Sequence, residues 1–312
     1  MEFRHISILA DECMEALQPQ RGGIYVDCTA GGGGHSYEIA RRLPENGRLI
    51  CLDRDDAALA ACEKRLAPFG EHVTLVKSNF SEVEAVLDQL GIPSIDGIMW
   101  DLGVSSYQLD EKSRGFSYTA EAPLDMRMDT SCGITAADVV NTYSEAELIR
   151  ILRDYGEEKF APRVAHSIVT ARVEKPLTTT TELAELIYQS IPAAARRKES
   201  QHPARRTFQA IRIEVNGELA AIAPSLEAAV NRLAPGGRAA VITFHSLEDR
   251  IVKQTFASLT GGCTCPPGFP VCVCGNAPKI RLLNKKPILP SEEEIQYNPR
   301  SHSAKLRCAE KL

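Results

Sequence analysis

Residues 24–36 of this 312-residue chain read IYVDCTAGGGGHS, and this stretch decides the fold. Its first five residues are mostly β-branched, aromatic or otherwise apolar and predict a short buried strand. Four consecutive glycines follow, and a stretch of helical character begins at His35. Glycine lets the backbone approach a ligand closely, and the N-terminus of a helix offers free N–H groups to an anion. This order of strand, glycine loop and helix is typical of a nucleotide-binding loop.

Strand and helix signals alternate on both sides of the loop. Apolar runs predict further strands at 48–53, 72–76, 95–101 and 238–244, with helices between the first four. From about residue 109 to 205 only helix patterns remain, and a long helix is predicted over 207–233 with an interruption at Pro224. The pattern predicts an α/β fold. A Rossmann-like domain would comprise residues 1–108 and 206–312, and a helical insert would comprise residues 109–205.

The composition is that of a globular protein, with 44% apolar and 25% charged residues. No stretch approaches the roughly 20 apolar residues of a membrane span, and the first residues do not resemble a signal peptide. We therefore expect a soluble cytoplasmic protein with no membrane partner.

Nine of the ten cysteines fall into two groups. The five scattered ones are predicted to be small core residues in a reducing compartment: Cys13, Cys28, Cys51, Cys62 and Cys132. Cys263, Cys265, Cys272 and Cys274 form a C-x-C-x6-C-x-C arrangement, which either chelates zinc or consists of reduced cysteines in a surface loop. The sequence does not decide between these two interpretations, and no metal is assigned.

Two cofactors are compatible with the sequence of the glycine loop. Gly31 and Gly33 match the first two glycines of the dinucleotide pattern, but Ser36 stands in place of the third. Asp53, at the end of the next strand, is placed to accept hydrogen bonds from two ribose hydroxyls. NAD and S-adenosylmethionine both fit. The missing third glycine, an acid in the first strand (Asp27) and the Asp101-Leu102-Gly103 strand end favour S-adenosylmethionine.

Three blocks carry a resemblance to a known family: AGGGGHS at 30–36, DLGVSSYQL at 101–109 and FHSLEDR at 244–250. Further matching segments are RGFS at 114–117, PLDMRM at 123–128, RTFQAIR at 206–212 and NPRS at 298–301. Over residues 5–307 the chain resembles the RsmH (MraW) family. The resemblance implies a Rossmann-like S-adenosylmethionine-dependent methyltransferase domain with a helical insert that recognises the substrate. It also implies methylation of the exocyclic N4 of a decoding-centre cytidine in 16S ribosomal RNA.

The resemblance also implies where the cofactor binds. The family's contacts, carried onto this sequence, fall on Gly33, Gly34, His35, Asp53, Phe80, Asp101 and Gln108. Sequence alone leaves His35 open as a helix cap and Phe80 as a core residue. The partner is 16S ribosomal RNA, free or within the small ribosomal subunit, and a homodimer is one option that the sequence leaves open.

Asp101 and His245 are the candidate catalytic residues. Asp101 either accepts a hydrogen bond from the target amine or only binds the cofactor. The Pro-Pro-aromatic sequence that follows this acid in many amino-methyltransferases is replaced by Leu102-Gly103-Val104, so Tyr107 or Phe116 would cover the base. His245 is predicted at the carboxyl end of a parallel strand, where ligands gather, with a structural hydrogen bond as the alternative.

The basic residues are concentrated in two segments of an acidic chain. The formal net charge is −5, yet residues 191–213 carry six Lys or Arg against one Glu, and residues 279–312 carry eight against four. Such segments can bind a polyanion, or they can be solvated helix faces. We predict that RNA contacts the densest run, with the C-terminal segment as second choice; that run comprises Arg196, Arg197, Lys198, Arg205 and Arg206.

Three classes of function compete at this point. They are an RNA base methyltransferase, a dehydrogenase on the same fold, and a non-catalytic RNA-binding or assembly protein. The intact glycine loop and Asp101 speak against the last.

Overall fold

The protein contains a mostly parallel β-sheet. The computed structural model describes residues 7–198, 201–261 and 277–312. Within these ranges one sheet has seven strands in the order β3-β2-β1-β4-β5-β7-β6. The strands β1 to β5 pair in parallel, and β7 runs antiparallel to β5 and β6. The strands are β1 (Ile24–Asp27), β2 (Arg48–Asp53), β3 (Val73–Lys77), β4 (Ile95–Asp101), β5 (Leu233–Thr243), β6 (Ile280–Leu282) and β7 (Lys305–Lys311).

Alternate strand residues fill two hydrophobic cores. Val26 and Ile98 belong to one core, whereas Tyr25 and Met99, their neighbours in β1 and β4, belong to the other. Successive side chains of a strand point to opposite faces, so both faces of this sheet are covered, and its strands read as continuous apolar runs. The helices around this sheet are α1 (Ala10–Leu17), α2 (Gly34–Ala40), α3 (Asp56–Leu66), α4 (Val83–Gln89), α12 (Glu218–Arg232), α13 (Ser246–Leu259) and α14 (Glu292–Tyr297).

The chain divides into two compact units, and the second is helical. The sheet unit comprises Met1–Gly103 and Leu219–Leu312, and the helical unit comprises Val104–Glu218. The helical unit has its own core, in which Leu148, Ile168 and Ile187 are fully buried. Its helices are α5 (Ser106–Asp110), α6 (Ala136–Thr142), α7 (Glu145–Asp154), α8 (Ala161–Glu174), α9 (Thr180–Ser190), α10 (Ala193–Arg196) and α11 (Ala204–Asn216). The predicted fold class, a Rossmann-like domain with a helical insert, is confirmed.

The edges of the helical unit differ from the predicted residues 109 and 205. Phe208 and Ile211 of α11 are buried in the core of the helical unit, so the chain returns to the sheet unit only at Leu219. The prediction of one helix over 207–233 is wrong, because Gly217 with φ 61° ends α11 and α12 begins at the next residue. Pro224 lies inside α12 and does not interrupt it.

The strands β6 and β7 were not predicted. β7 carries four charged residues in the sequence KLRCAEK, so it lacks the apolar run of a parallel strand. Its buried charges are paired: Arg307 donates to Asp249 at 2.7 Å, and Glu310 lies 3.0 Å from Arg238. None of the described helices has the length and apolar character to cross a membrane.

Candidate functional site

The glycine loop joins β1 to α2 and contacts the end of β2. The Gly31 N–H donates to Asp53 Oδ2 at 2.8 Å, and the Ala30 N–H donates to the Leu52 carbonyl at 2.9 Å. Gly33 has φ 76°, and a Cβ at this position would lie 3.2 Å from Cys62 Sγ. Only glycine meets both requirements, so Gly33 fixes where the chain turns into the helix that Gly34 begins.

Asp27, at the end of β1, holds the shape of this loop. Its carboxylate accepts hydrogen bonds from Ser36 Oγ at 2.6 Å and from the Thr29 N–H at 3.1 Å. The side chain is 1% exposed, and burial raises the pKa of this carboxyl. Asp27 thus stabilises both sides of the glycine run from beneath.

Asp53 stands at the end of β2, directly beside the loop. Besides the bond from Gly31, its Oδ1 accepts the Asp55 N–H at 2.9 Å. Burial raises the pKa of Asp53 to about 6 against the opposing effect of these two N–H donors. Each carboxylate oxygen has further lone pairs, so the ionised group can still accept hydroxyl donors such as those of a ribose.

A buried hydrogen-bond chain fixes the turn at Phe80. The Ser225 hydroxyl in α12 donates to the Phe80 carbonyl at 2.9 Å and accepts the indole N–H of Trp100 at 3.0 Å. Ser225 and Trp100 are almost fully buried, so the turn after β3 is tied to β4. The sequence analysis missed both residues. The available signal was the only tryptophan of the chain, which stands immediately before Asp101.

Asp101 ends β4, and β1 lies beside β4 in the sheet. The order of the strands reverses between β1 and β4, and ligands bind at such a switch point in α/β sheets. Among the described residues, nothing hydrogen-bonds the buried Oδ1 of Asp101, whereas Oδ2 lies 3.6 Å from His35 Nδ1. Burial raises the pKa of Asp101 to about 6, and His35 opposes this shift. An acceptor left open in this way suits an N–H donor of a ligand.

His35 faces away from solvent and towards Asp101. Its ring is 5% exposed, and its Nε2 lies 2.9 Å from the Ile8 carbonyl. The first residues of α2 therefore place a buried imidazole against the carboxylate of β4. The predicted contact between His35 and the cofactor stays a prediction.

His245 is the N-cap residue of α13. Its Nδ1 accepts the Glu248 N–H at 3.4 Å, and Glu248 Oε2 accepts the His245 N–H at 3.2 Å. His245 Nε2 also lies 3.0 Å from Glu248 Oε1. This reciprocal capping box gives the HSLE sequence a structural role. A role of His245 towards substrate stays a prediction.

Gln108 and the two candidate base-covering aromatics belong to the helical unit. Gln108 Oε1 accepts the Ser105 N–H at 3.1 Å, and Ser105 Oγ accepts the Gln108 N–H at 3.2 Å, which forms the capping box of α5. Phe116 is 7% exposed and packs in the core of this unit, whereas Tyr107 is half-buried. The cofactor contact of Gln108 stays a prediction.

The predicted basic run includes an arginine, Arg196, that packs against an aromatic stack on the helical unit. The guanidinium carbon of Arg196 lies 3.8 Å from the ring centroid of Tyr188, which is 42% exposed. His202 stacks on Tyr118 with centroids 4.9 Å apart and on Tyr188 with centroids 6.2 Å apart. The run itself is accessible to solvent: Arg197, Lys198 and Arg205 are exposed, and Arg196 and Arg206 are half-buried.

Of the scattered cysteines, Cys13, Cys28, Cys51 and Cys62 are buried as predicted, but Cys132 is exposed. It follows Asp129 in a polar turn, and its Sγ lies 3.4 Å from Asp129 Oδ2. The cluster of Cys263, Cys265, Cys272 and Cys274 lies outside the described residues.

Comparisons with known proteins agree along the whole chain. The profile of the MraW methylase family matches residues 2–312. "Ribosomal RNA small subunit methyltransferase H" of Paenibacillus sp. is 58% identical over 99% of this chain and 100% of that protein. The protein of the same name from Symbiobacterium thermophilum is 57% identical over 100% of this chain and 98% of its own. Among solved structures, an rRNA methylase from Streptococcus thermophilus matches with TM-score 0.42 and 13% identity, covering 97% of this chain and 93% of that one.

Proposed function

The chain belongs to the MraW methylase family, and from this we propose that it methylates the exocyclic N4 of a decoding-centre cytidine in 16S ribosomal RNA. Its relatives are named as small-subunit ribosomal RNA methyltransferases, which supports ribosomal RNA as the substrate. The observation that carries the choice of an amine is the buried, unsatisfied Oδ1 of Asp101 within the described residues. Membership of a methylase family removes the dehydrogenase interpretation. The proposed place of action is the cytoplasm.

S-adenosyl-L-methionine is the cofactor, and the sheet unit fits it. A Cβ at Gly32 would meet no atom within 4 Å, so the glycine loop leaves room for a ligand against its backbone. Gly33 and Gly34 would hold the methionine end, Asp53 the ribose hydroxyls and Phe80 a face of the adenine. When bound, the cofactor supplies an electrophilic methyl group on a sulfonium sulfur.

The chain's own part in the reaction centres on Asp101. The lone pair of a cytosine amine is delocalised into the ring, which makes the nitrogen a weak nucleophile. A hydrogen bond from the amine to Asp101 Oδ1 orients the group and favours a pyramidal nitrogen. When the methyl group passes to the nitrogen, its bond to the sulfonium sulfur would break with the electron pair staying on sulfur. The nitrogen would then carry the positive charge, and its proton can pass to the carboxylate of Asp101. The remaining effect is positioning and exclusion of water.

We place the RNA on the basic run of the helical unit. Exposed basic side chains bind phosphates and stacked rings bind unpaired bases, and this segment offers both. Arg212 lies in the same segment, but we do not count it among the RNA contacts. Its guanidinium donates two hydrogen bonds to the Glu218 carboxylate, of 2.9 and 2.8 Å.

The C-terminal basic segment is less suited to RNA. Arg307 and Lys305 both pair with Asp249, and Arg281 pairs with Glu310. Lys311 donates to the Val230 carbonyl at 2.8 Å. Four of the eight basic side chains of this segment are thus held by contacts within the sheet unit, which favours the helical unit as the RNA surface.

The direct test of the proposed function is mass mapping of the methylated product. Small ribosomal subunits and naked 16S RNA, both from cells lacking this protein, are incubated with the enzyme and S-adenosylmethionine. We expect one new methyl group on the N4 of a decoding-centre cytidine, and the comparison identifies the substrate form. A methyl group on a carbon atom or a ribose would contradict the proposal.

Replacing Asp53 by alanine should weaken binding of S-adenosylmethionine about ten- to hundredfold, since hydrogen bonds to a charged group contribute about 1.5–3 kcal/mol. With a pKa of about 6, Asp53 gains a proton as the pH falls through 6 and becomes a poorer acceptor. Calorimetry should therefore show weaker binding at pH 5 than at pH 7 in the wild type. In Asp53→Ala this difference should shrink, and an unchanged affinity would remove Asp53 from the site.

Reversing Arg196, Arg197 and Arg205 to glutamate should abolish tight RNA binding at low salt and leave cofactor affinity unchanged. Three lost phosphate contacts should flatten the slope of log K against log salt by about 2 for single-stranded RNA. Filter binding across salt concentrations measures this slope. The matched control reverses the exposed Lys285, Lys286 and Arg300 of the C-terminal segment. A larger loss in the control would place the RNA there instead.

A further inference from the structure

We propose that His35 is a positioning residue that keeps Asp101 ionised, and that Glu294 holds His35 in place through the Ile8–Leu9 turn. The proposal rests on the amine methylation proposed above. It adds His35, Glu294 and the Ile8–Leu9 turn to the residues that act on the substrate amine. All of them belong to the sheet unit. The sequence did not connect these residues, because they are far apart along the chain, at positions 8–9, 35 and 294.

The first step is the anchor of the turn. Glu294 in α14 is 6% exposed, and its Oε1 accepts the Leu9 N–H at 2.9 Å. Leu9 has φ 52° and ψ 37°, a left-handed conformation that a leucine rarely adopts. A strained residue of this kind persists only when its surroundings hold it. The carboxylate of Glu294 therefore determines where the preceding carbonyl, that of Ile8, points.

The second step fixes the tautomer of His35. A carbonyl oxygen can only accept a hydrogen bond, so the contact of 2.9 Å between Nε2 and the Ile8 carbonyl places a proton on Nε2. The other ring nitrogen, Nδ1, then lies 3.6 Å from Asp101 Oδ2. A lone pair on Nδ1 facing a carboxylate would be repulsive. A proton on Nδ1 would remove this repulsion and form an ion pair with Asp101 Oδ2.

The charges around the pair explain why a cation is needed. Asp27 and Glu248 act on Asp101 as negative charges and, together with burial, favour its protonated form. The neighbouring Cys13 thiol stays neutral, because burial raises its pKa well above the ordinary value. His35 is the group that opposes these effects on Asp101. The same side chain also acts on Asp27 and Glu294: burial raises the pKa of both carboxyls, and His35 opposes this effect.

The consequence concerns the open oxygen of Asp101. An ionised carboxylate presents Oδ1 as an acceptor to the substrate amine, whereas a protonated carboxyl would offer a hydroxyl donor to a group that needs an acceptor. His35 touches neither the amine nor the methyl group in this arrangement. Its effect is transmitted through Oδ2 of Asp101.

His35→Gln tests the first part of the proposal. The glutamine amide can still donate to the Ile8 carbonyl, but it cannot carry a positive charge. At saturating S-adenosylmethionine, which removes any effect on cofactor affinity, we expect the single-turnover rate at pH 7 to fall about two- to tenfold, since a pKa that rises from about 6 by one to two units lowers the ionised fraction of Asp101 by that much. The acid limb of the pH–rate profile should move to higher pH by about one unit or more, because a nearby opposite charge lowers a carboxyl pKa by about 1–3 units.

A second measurement does not depend on activity. The side-chain carboxyl carbon of Asp101, labelled with ¹³C, is titrated by NMR in the protein without cofactor, in the wild type and in His35→Gln. The pKa of Asp101, about 6, should rise in the variant. An unmoved titration would overturn the proposal even if the variant had lost activity through a local change in packing.

Glu294 is tested by a double-mutant cycle. Glu294→Ala should lower the rate and move the acid limb in the same direction as His35→Gln. The single-turnover rate of the double variant should be no lower than that of His35→Gln alone, since both changes remove the effect of His35 on Asp101. Glu294→Gln, which can still accept the Leu9 N–H, should lose less than Glu294→Ala. The control is Glu293→Ala, an exposed neighbour in α14. Additive losses would show that Glu294 acts independently of His35.

The two proposals can fail separately. If the methyl group is found at a position other than N4 while the Asp101 titration still depends on His35, the proposed function fails and the positioning role stands. If the product is N4-methylcytidine and the titration ignores His35, the positioning role fails alone.

Discussion

We expect Asp101→Asn to lower kcat at least about a hundredfold and to change the Kd of S-adenosylmethionine by less than about threefold. Proton acceptance by a positioned side chain contributes about 10²–10⁴ to the rate of such reactions. Asparagine keeps the size and one carbonyl acceptor of the aspartate, but it has no charge and cannot take the amine proton. The measurement compares single-turnover rates at saturating cofactor with the Kd from calorimetry.

The opposite pattern has a clear meaning. A loss confined to cofactor affinity, with kcat preserved at saturation, would make Asp101 a cofactor ligand and not a catalytic residue. Two features favour the catalytic role. Oδ1 is buried without a hydrogen-bond partner among the described residues, and the Asp101 N–H is already held by Thr29 Oγ1 at 2.6 Å. The backbone is thus fixed, while one carboxylate oxygen is left open.

Gly115→Ala destabilises the helical unit by about 2–5 kcal/mol, from a left-handed backbone and an overpacked contact. Gly115 has φ 73°, and an added Cβ would lie 2.2 Å from the Pro123 carbonyl oxygen and 3.0 Å from the Asp125 nitrogen. Both atoms are backbone, so no side chain can rotate away. The midpoint of urea unfolding, followed by circular dichroism, measures the loss.

Gly133→Ala separates the two causes of this loss. Gly133 has a similar φ of 82°, but an added Cβ would meet no atom within 4 Å. The left-handed backbone alone costs about 1–2 kcal/mol, so this variant should stay well above Gly115→Ala in stability. Equal losses in the two variants would show that the contact with residues 123–125 is not the cause.

Local patterns were sufficient for the parallel strands β1 to β5 and for the glycine loop. The predicted strands at 48–53 and 95–101 agree with β2 and β4 residue by residue, because strands buried on both faces are continuous apolar runs. The sequence Ser144-Glu145-Ala146-Glu147 likewise has the local pattern of a capping box, and this box begins α7. Where a strand is charged, as in β7, the same rule fails, since the pairing of Arg307 with Asp249 depends on another part of the chain.

The sequence by itself determined the order of strand, glycine loop and helix, the helical insert and the family, because each is written in neighbouring residues. Only the tertiary structure decided how Asp101 is surrounded. The bond from Leu9 to Glu294 joins residues 285 positions apart, and that from Trp100 to Ser225 joins residues 125 apart. No local pattern encodes such contacts, since they form only when the sheet brings its strand ends and covering helices together. A buried polar group must then find its partner wherever the chain happens to pass.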